Sequence, residues 1–474
     1  MHPREIGPRL AKITSCSVAW DKNTRDFYSR DASQYTLRPA AITFPKSEKE
    51  IIKILRFASR HKIPVTPRGG GTGLVGGALG RGIILDMRNF NKIRIGRNFI
   101  EAGAGVFKGE ADKELTRHGR FLAPNPSIGP HCTIGGMVGT NASGSRSLKY
   151  GSTIDSLISV RIITSSGKAV NLPCNVSVAK KLFRVLDPRV LGKFPKVSKN
   201  SCGYRIDRVP TTSQVQKIIA GSEGTLGVVV SAKLKTIPIP RKMALVVASY
   251  RTLREALGEV PRILKVGPSA LEVIDDNIVA HMGKEWPKGK VLLYIELDDD
   301  ISKKRSKVRR ITGTRNARFT TNAGKIRQWW SYRNTALSYS LRSISKDEVI
   351  LPSIEDAAVP VHRLPLLLDL VEHLKSRYRM RVIIYGHAGN GNLHIRPILK
   401  KGQSAIMRQI AAEFFHGVIS MGGTITGEHG DGLSRTGFVK LQYGGDTYSV
   451  FKHVKELFDP AYALNPDKII TRIR

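Results

Sequence analysis

Cysteine is scarce in this 474-residue chain, and the four present, Cys16, Cys132, Cys174 and Cys202, lie far apart with no Cys-x-x-Cys pair. That spacing indicates neither a disulfide framework nor an iron–sulfur or zinc-ribbon site within the chain, so a reducing compartment, the cytoplasm, is the default. Aromatics are only 7% of residues and are not interleaved with the basic ones, and no zinc finger or recognition-helix module can be read. Specific nucleic-acid binding is therefore not expected. No run of about 18 apolar residues occurs, and the opening Met1-His-Pro-Arg-Glu5 has no apolar signal core. A soluble protein is expected, with peripheral attachment to the inner face of a membrane as the alternative. Acidic residues are also few: 38 against 77 lysines and arginines, a net charge of +39. Such a field draws anions of every kind, from acidic subunits to lipid headgroups and small carboxylates, without choosing among them. Its densest cluster, Lys303, Lys304, Arg305, Lys307, Arg309 and Arg310, reads as a solvated helix face, with a docking surface as the alternative.

Glycine, by contrast, is plentiful, and three rich segments punctuate the first half: Arg68 to Ala78, Pro126 to Gly144 and Gly221 to Gly227. The length suggests roughly three domains. Within the first segment, Gly71-Thr-Gly-Leu-Val-Gly76 matches the dinucleotide-binding G-x-G-x-x-G. That motif requires a strand, a glycine turn and then a long helix. Here Ser47-Glu-Lys-Glu50 caps a helix running to about His61, Ile63 to Pro67 is extended, and after the glycines Gly82 to Asp86 reads as another strand. A nicotinamide-binding unit is thus excluded. The clustered glycines can still aim several N–H groups at an anion, the alternative being a mobile surface turn. Ile100 to Val106 reads as a strand, Lys108 to His118 as a helix, and Val228 to Val230 as a strand after the third glycine segment. Strands between glycine segments suggest loops converging on one extended ligand. Pro238-Ile-Pro240 marks a break, beyond which longer helical runs and isolated strands such as Leu292 to Leu297 take over.

Four stretches of the first half, Arg38-Pro-Ala-Ala-Ile-Thr-Phe-Pro45, Pro67-Arg-Gly-Gly-Gly-Thr-Gly73, Ile134-Gly-Gly-Met-Val-Gly-Thr-Asn-Ala-Ser-Gly144 and Gly221-Ser-Glu-Gly-Thr-Leu-Gly227, resemble the FAD-binding domain of the vanillyl-alcohol oxidase and p-cresol methylhydroxylase superfamily. In the second half, Gly386-His-Ala-Gly-Asn-Gly-Asn-Leu-His394, Gly427-Glu-His-Gly-Asp-Gly432 and Leu464-Asn-Pro-Asp-Lys468 are similar to the FAD-linked oxidase C-terminal domain of the D-2-hydroxyacid dehydrogenases. Those enzymes include D-lactate and D-2-hydroxyglutarate dehydrogenases and the flavin subunit of glycolate oxidase. The resemblance runs from about Tyr35 to Lys468. It implies an α+β fold: an N-terminal extension over 1–35, a two-subdomain FAD-binding domain over 36–240 and an α+β substrate (cap) domain over 241–474. It places the pyrophosphate at Arg68, Gly69, Gly70, Gly71, Thr72 and Gly73 and at the loop carrying Ile134, Gly135, Gly136, Gly139, Thr140, Asn141, Ser143 and Gly144. Tyr150, Gly151 and Asn465 complete the cofactor set, with Ser222, Glu223 and Gly224 near the adenine half. Some relatives attach FAD through a histidine of the first glycine loop. That loop has none here, so non-covalent FAD is expected.

In Arg381 to Arg396, two apolar extended runs flank Asn390-Gly391, a strong hairpin signal. With Asn390 and Gly391 as the two turn residues, His387 and His394 would be direct cross-strand partners. Their Cβ atoms would lie about 5 Å apart, close enough to grip one divalent ion. Hydrogen-bonded core histidines are the alternative. Glu428 is the natural third ligand, and in the enzymes the chain resembles these three residues bind zinc or a similar ion. Glu428 and His429 are adjacent and would point oppositely on a regular strand. Gly427 and Gly430 permit a backbone that aims both inward. On this reading His429 is the catalytic base that takes the substrate hydroxyl proton while the C2 hydride goes to flavin. Arg333 and Lys346, which partly match the family's W-x-x-R and K-x-D-x-x-L-P patterns, and Arg396, on the hairpin face of the histidines, are assigned to the carboxylate.

The version Gly427 to Thr436 resembles the branch whose flavoprotein portion is fused to a cysteine-rich iron–sulfur portion. Since the chain runs only six residues past Lys468, a separate iron–sulfur or other electron-transfer subunit is the expected acceptor. The function expected is oxidation of a D-2-hydroxyacid to the 2-oxoacid. The alternatives are a flavin oxidase using oxygen and a dehydrogenase for a different hydroxyl substrate.

Overall fold

A computed structural model describes residues 1–471 apart from 283–285, 287–289, 314–316, 343 and 351–353. The helix Glu48–Arg60 forms where the capping box places it. Ser47 and Glu50 satisfy each other's backbone N–H groups, and Ile51, Ile54, Leu55 and Ala58 fall on one buried stripe. It connects the parallel strands Ala41–Phe44 and Val65–Arg68, with Ile83–Asp86 inserted between them. The glycine segment that follows Arg68 therefore returns the chain to the sheet without an intervening helix. A second, antiparallel sheet has the order Ile93–Ile95, Phe99–Gly103, Val228–Lys235, Leu157–Ile163 and Ala169–Leu172.

The first 35 residues are part of this layer and not an appendage. The helix Pro3–Ile13 buries Ile6 and Leu10, Ser17–Ala19 pairs antiparallel with Ala41–Phe44 at the sheet edge, and the Tyr28 hydroxyl donates to Asp86. An amphipathic helix with two fully covered aliphatics cannot be left in solvent without losing about 1.5–3 kcal/mol per side chain.

Beyond residue 240 a seven-stranded antiparallel sheet runs Ala317–Thr320, Ala244–Tyr250, Val291–Leu297, Ala270–Ile274, Arg381–His387, Asn392–Lys400 and Glu348–Ile350. The helices Leu253–Leu264 and Ile301–Thr312 pack on its strands, and Leu364–Tyr378 bridges Leu253–Leu264 and Met407–Ser420. The basic cluster lies on Ile301–Thr312, with Lys303, Arg305, Lys307, Arg309 and Arg310 exposed. Among the described residues, no helix is long and apolar enough to cross a membrane.

The chain does not end in this second layer. After the helix Val439–Phe458 it crosses back to the first sheet, where Val65 donates its N–H to Ala463 and accepts that of Asn465, both at 2.8 Å. One buried lysine fixes the return: Lys455 Nζ donates to the carbonyls of Thr225 (2.7 Å) and Leu464 (2.8 Å) and to Asp459 (2.6 Å). Lys455→Met leaves the Asp459 carboxylate buried beside no cation, and an expected loss of about 3–5 kcal/mol should appear as a lower urea midpoint at unchanged slope.

Candidate active site

The strands Arg381–His387 and Asn392–Lys400 form the expected hairpin with a different turn. Ala388 to Gly391 make a four-residue reversal, so His387 faces Asn392, and His394 faces Tyr385. Ala388–Asn390 form a short 3-10 turn ended by Gly391 at φ +67°, and the Asn390 carboxamide meets the hydroxyls of Ser198 and Ser147. A shift of two residues preserves the face on which every side chain stands. His387 and His394 thus become diagonal neighbours, with ring centroids 5.2 Å apart.

Opposite them, Glu428 and His429 point the same way because one carboxylate holds both their backbones. Asp356 Oδ2 accepts the N–H of Glu428 at 3.0 Å and of His429 at 2.9 Å, and Gly430 completes the bend at φ +84°. The result is three imidazoles around one carboxylate oxygen: Glu428 Oε1 lies 2.7 Å from His387 Nε2, 3.4 Å from His394 Nε2 and 3.7 Å from His429 Nε2. Each imidazole has its other nitrogen on an acceptor. His387 Nδ1 is 2.8 Å from Glu272, His394 Nδ1 is 3.2 Å from the Glu355 carbonyl and His429 Nδ1 is 2.8 Å from the Glu355 carboxylate. Acceptors placed in this way are of the kind that orient histidines toward a metal ion. The donor set fits zinc or a similar divalent ion through His387, His394 and Glu428. Single ligand atoms of Asp356, His394, Glu428 and His429 also lie within 4.8 Å of one another. The oxygens of Asp356, however, are already engaged by the two backbone N–H groups and by Asn392.

The buried charges balance in pairs. Burial would raise the Glu428 carboxyl, but His387 and Lys199 outweigh it and hold it well below the usual carboxylate range. Lys199, fully buried, reaches Glu428 Oε2 at 2.7 Å, where the Ser143 hydroxyl also donates. Burial acts on His394 and lowers it to about 4. For His429 burial is overcome by Glu355 and Asp356, which raise it to about 9. Glu355 in turn receives Arg435 at 2.9 Å and Arg396 at 3.3 Å. None of Lys199, Glu272, Glu355, Asp356 or Arg435 was singled out from the sequence. Glu355-Asp356 is one of several runs of adjacent acidic residues, with Asp275-Asp276, Asp298 to Asp300 and Asp347-Glu348, so nothing in the sequence sets it apart.

One cavity of about 490 Å³ joins this cluster to the glycine segments. Arg68, Gly69, Gly70, Gly71, Thr72, Gly73, Gly135, Gly136, Gly139, Thr140, Ser143, Gly144, Glu223 and Gly224 line it, with Arg333, Arg396, His387, His394, Glu428 and His429 at its other end. Gly70 allows the close approach of its neighbour, since a Cβ there would meet the His131 carbonyl at 2.3 Å. At Gly73 a Cβ would meet no protein atom within 4 Å, so any side chain would fill the cavity instead. Such a backbone-floored trough suits the long pyrophosphate-linked body of FAD.

Six residues expected on the cofactor are not on the cavity wall. Ile134 is wholly in the core, and Asn141, at φ +52°, ends the helix Ile134–Thr140 while its side chain accepts the Ile154 N–H. The Tyr150 hydroxyl donates to Asp298, Gly151 ends the Ser147–Tyr150 turn at φ +77°, and Ser222 is buried beneath its loop. Asn465 donates to the carbonyls of Gly77 and Glu223, pinning two glycine loops together from behind. Lys346 is displaced further. It stands in an exposed turn whose neighbour Asp347 accepts the Lys401 N–H at 2.7 Å, far along the strand from His394, and the Leu351-Pro352 end of its motif lies outside the described residues. Lys346→Ala should change kcat/KM for any substrate by less than about twofold, as for ordinary surface substitutions.

The fold and the cavity define a two-domain flavoprotein of the p-cresol methylhydroxylase type. The chain belongs to the FAD-linked oxidases: residues 39–173 match the FAD binding domain and residues 239–469 the C-terminal domain of FAD-linked oxidases. It is 29% identical to the glycolate oxidase subunit GlcD of Bacillus subtilis (strain 168), over 100% of this chain and 98% of that protein. It is 28% identical to the D-lactate dehydrogenase of Anaerostipes hadrus, over 99% and 96%. Against the D-2-hydroxyglutarate dehydrogenase of Escherichia coli (strain K12), 28% identical, it spans 93% of itself but only 49% of the relative. Among solved structures, alkyldihydroxyacetonephosphate synthase shares the fold with a TM-score of 0.69 at 19% identity, over 99% of this chain and 85% of that one.

Proposed function

We propose that this protein is a FAD-dependent dehydrogenase that converts a D-2-hydroxyacid to the 2-oxoacid. The observation carrying this reading is the single cavity that runs from the glycine trough to the three-imidazole cluster. FAD, when bound, supplies the acceptor for the C2 hydride, and a divalent ion supplies charge that acidifies the C2 hydroxyl. The chain supplies the placement. His387, His394 and Glu428 would hold the ion, while Lys199 and Ser143 occupy Glu428 Oε2 and leave Oε1 facing the imidazoles. His429 takes the hydroxyl proton at Nε2, its ring fixed by the Nδ1 contact to Glu355, as a buried carboxylate orients the histidine of a hydrolytic triad. Arg333 and Arg396 close the far wall with guanidinium groups suited to a carboxylate.

Non-covalent FAD follows from the first glycine segment, which carries no histidine from Arg68 to Gly77. Electrons pass onward to a separate acceptor. This agrees with relatives named as a subunit of a larger oxidase and with others twice the length of this chain. The experiment is anaerobic mixing of the yellow protein with D- and L-2-hydroxyacids. A D-acid should bleach the flavin, chelation should stop the bleaching, and steady-state turnover in air should yield little peroxide. Stoichiometric peroxide would establish the oxidase alternative instead.

A further inference from the structure

We propose that the cavity selects a 2-hydroxyacid carrying a second carboxylate, and that Arg396 is the residue that reads it. This rests on the 2-hydroxyacid reading of the site and narrows it. Two guanidinium groups flank one aromatic ring at the substrate end: Arg333 lies 5.6 Å and Arg396 5.8 Å from the centroid of Tyr385. They come from unrelated elements, the helix Ala323–Asn334 and the hairpin strand Asn392–Lys400, and both line the cavity although each is about 95% buried.

Each is held in place by part of its N–H set. Arg333 directs Nε and Nη2 at Glu272, at 2.9 and 2.6 Å, and Arg396 directs Nε at the Tyr385 hydroxyl and Nη2 at Glu355, at 3.0 and 3.3 Å. The Nη1 group of neither makes a hydrogen bond to a described residue. Two oriented donor groups therefore remain beside the imidazole cluster, and the other cationic side chain on the cavity wall is Arg68, in the first glycine segment. Each guanidinium also shares its charge with a buried carboxylate, which matches a singly charged carboxylate better than a dianionic phosphate.

The hairpin sets the distance. Arg396 stands two residues beyond His394 on the same face, about 7 Å along the strand. An acid whose 1-carboxylate and 2-hydroxyl sit at the imidazoles would carry a further carboxylate, one or two methylenes on, toward Arg396. A substrate ending in hydrogen or methyl leaves those donors facing an apolar group. Sites built to hydrogen-bond a substrate group reject analogues that lack it far more strongly than apolar pockets reject a missing methylene.

The test uses the FAD-loaded, metal-replete protein, with D-malate and D-2-hydroxyglutarate set against D-lactate and glycolate in anaerobic flavin reduction. A parallel measurement follows perturbation of the flavin spectrum by 2-oxoglutarate and pyruvate. The diacids should exceed the monoacids in kcat/KM by on the order of 100-fold, and 2-oxoglutarate should bind more tightly than pyruvate. Arg396→Met should collapse that ratio mainly through KM for the diacids, with Arg396→Lys keeping part of it. Equal reduction by D-lactate, or an equal loss for both classes in Arg396→Met, overturns the proposal while leaving the hydroxyacid reading intact. Failure of every 2-hydroxyacid to bleach the flavin overturns the reading and the proposal together.

Discussion

His429→Asn is expected to retain FAD and the metal while slowing anaerobic flavin reduction by about 100-fold to 10,000-fold, the usual worth of a positioned general base. Asparagine keeps a polar group near Glu355 but has no nitrogen that can accept the hydroxyl proton. The His429 ring is fixed on both sides. Glu355 holds Nδ1 at 2.8 Å, and the His394 ring stacks on it at 5.1 Å with an interplanar angle of 12°. Its raised proton affinity, to about 9, arises because Glu355 and Asp356 outweigh burial. A dication, which His387, His394 and Glu428 would hold, would oppose that proton and favour the neutral ring that proton abstraction requires. Stopped-flow reduction with saturating substrate isolates this step from later electron transfer. A variant that bleaches within threefold of the parent rate would remove His429 from the reaction and direct attention to the other imidazoles.

Much of the frame was legible because it depends on neighbours in sequence. The Ser47-Glu50 capping box fixed one end of its helix, and the strand after the first glycine segment excluded a nicotinamide fold, as the parallel insertion of Ile83–Asp86 bears out. The hairpin histidines share a face despite a wrong register, since a slip of two residues is invisible to side-chain alternation. What could not be read is the second ring of contacts. Lys199 arrives from the first half of the chain, Glu272 from the neighbouring strand of the sheet, 115 residues earlier than His387, and Glu355-Asp356 from a turn, and nothing local announces that they converge. Lys346 illustrates the opposite error: a partial motif match assigned to the site a lysine that the sheet carries away from it. The C-terminal return escaped for the same reason, because the bond between Val65 and Asn465 joins residues 400 positions apart.

His387→Ala should lower metal affinity by at least about 100-fold, more than the 10- to 100-fold that loss of an outer-shell partner costs. The comparison variant is Glu272→Gln, which keeps the volume beside His387 Nδ1 and removes the carboxylate charge that faces the ring and Arg333, leaving the three metal-ligand candidates in place. Metal content after gel filtration in buffered zinc, read against FAD content, separates the two: FAD should remain near one per chain in both variants, because the glycine trough is formed by other segments. The alanine also removes one of the groups that hold Glu428 below its usual range, and burial then pushes that carboxyl upward. Restored flavin reduction at high zinc concentration is accordingly expected for Glu272→Gln and not for His387→Ala. Undiminished zinc in His387→Ala would instead identify Asp356, His394, Glu428 and His429 as the ligand set. In that case His429, bound to the ion, could not serve as the base, so this one measurement also decides which residue takes the proton.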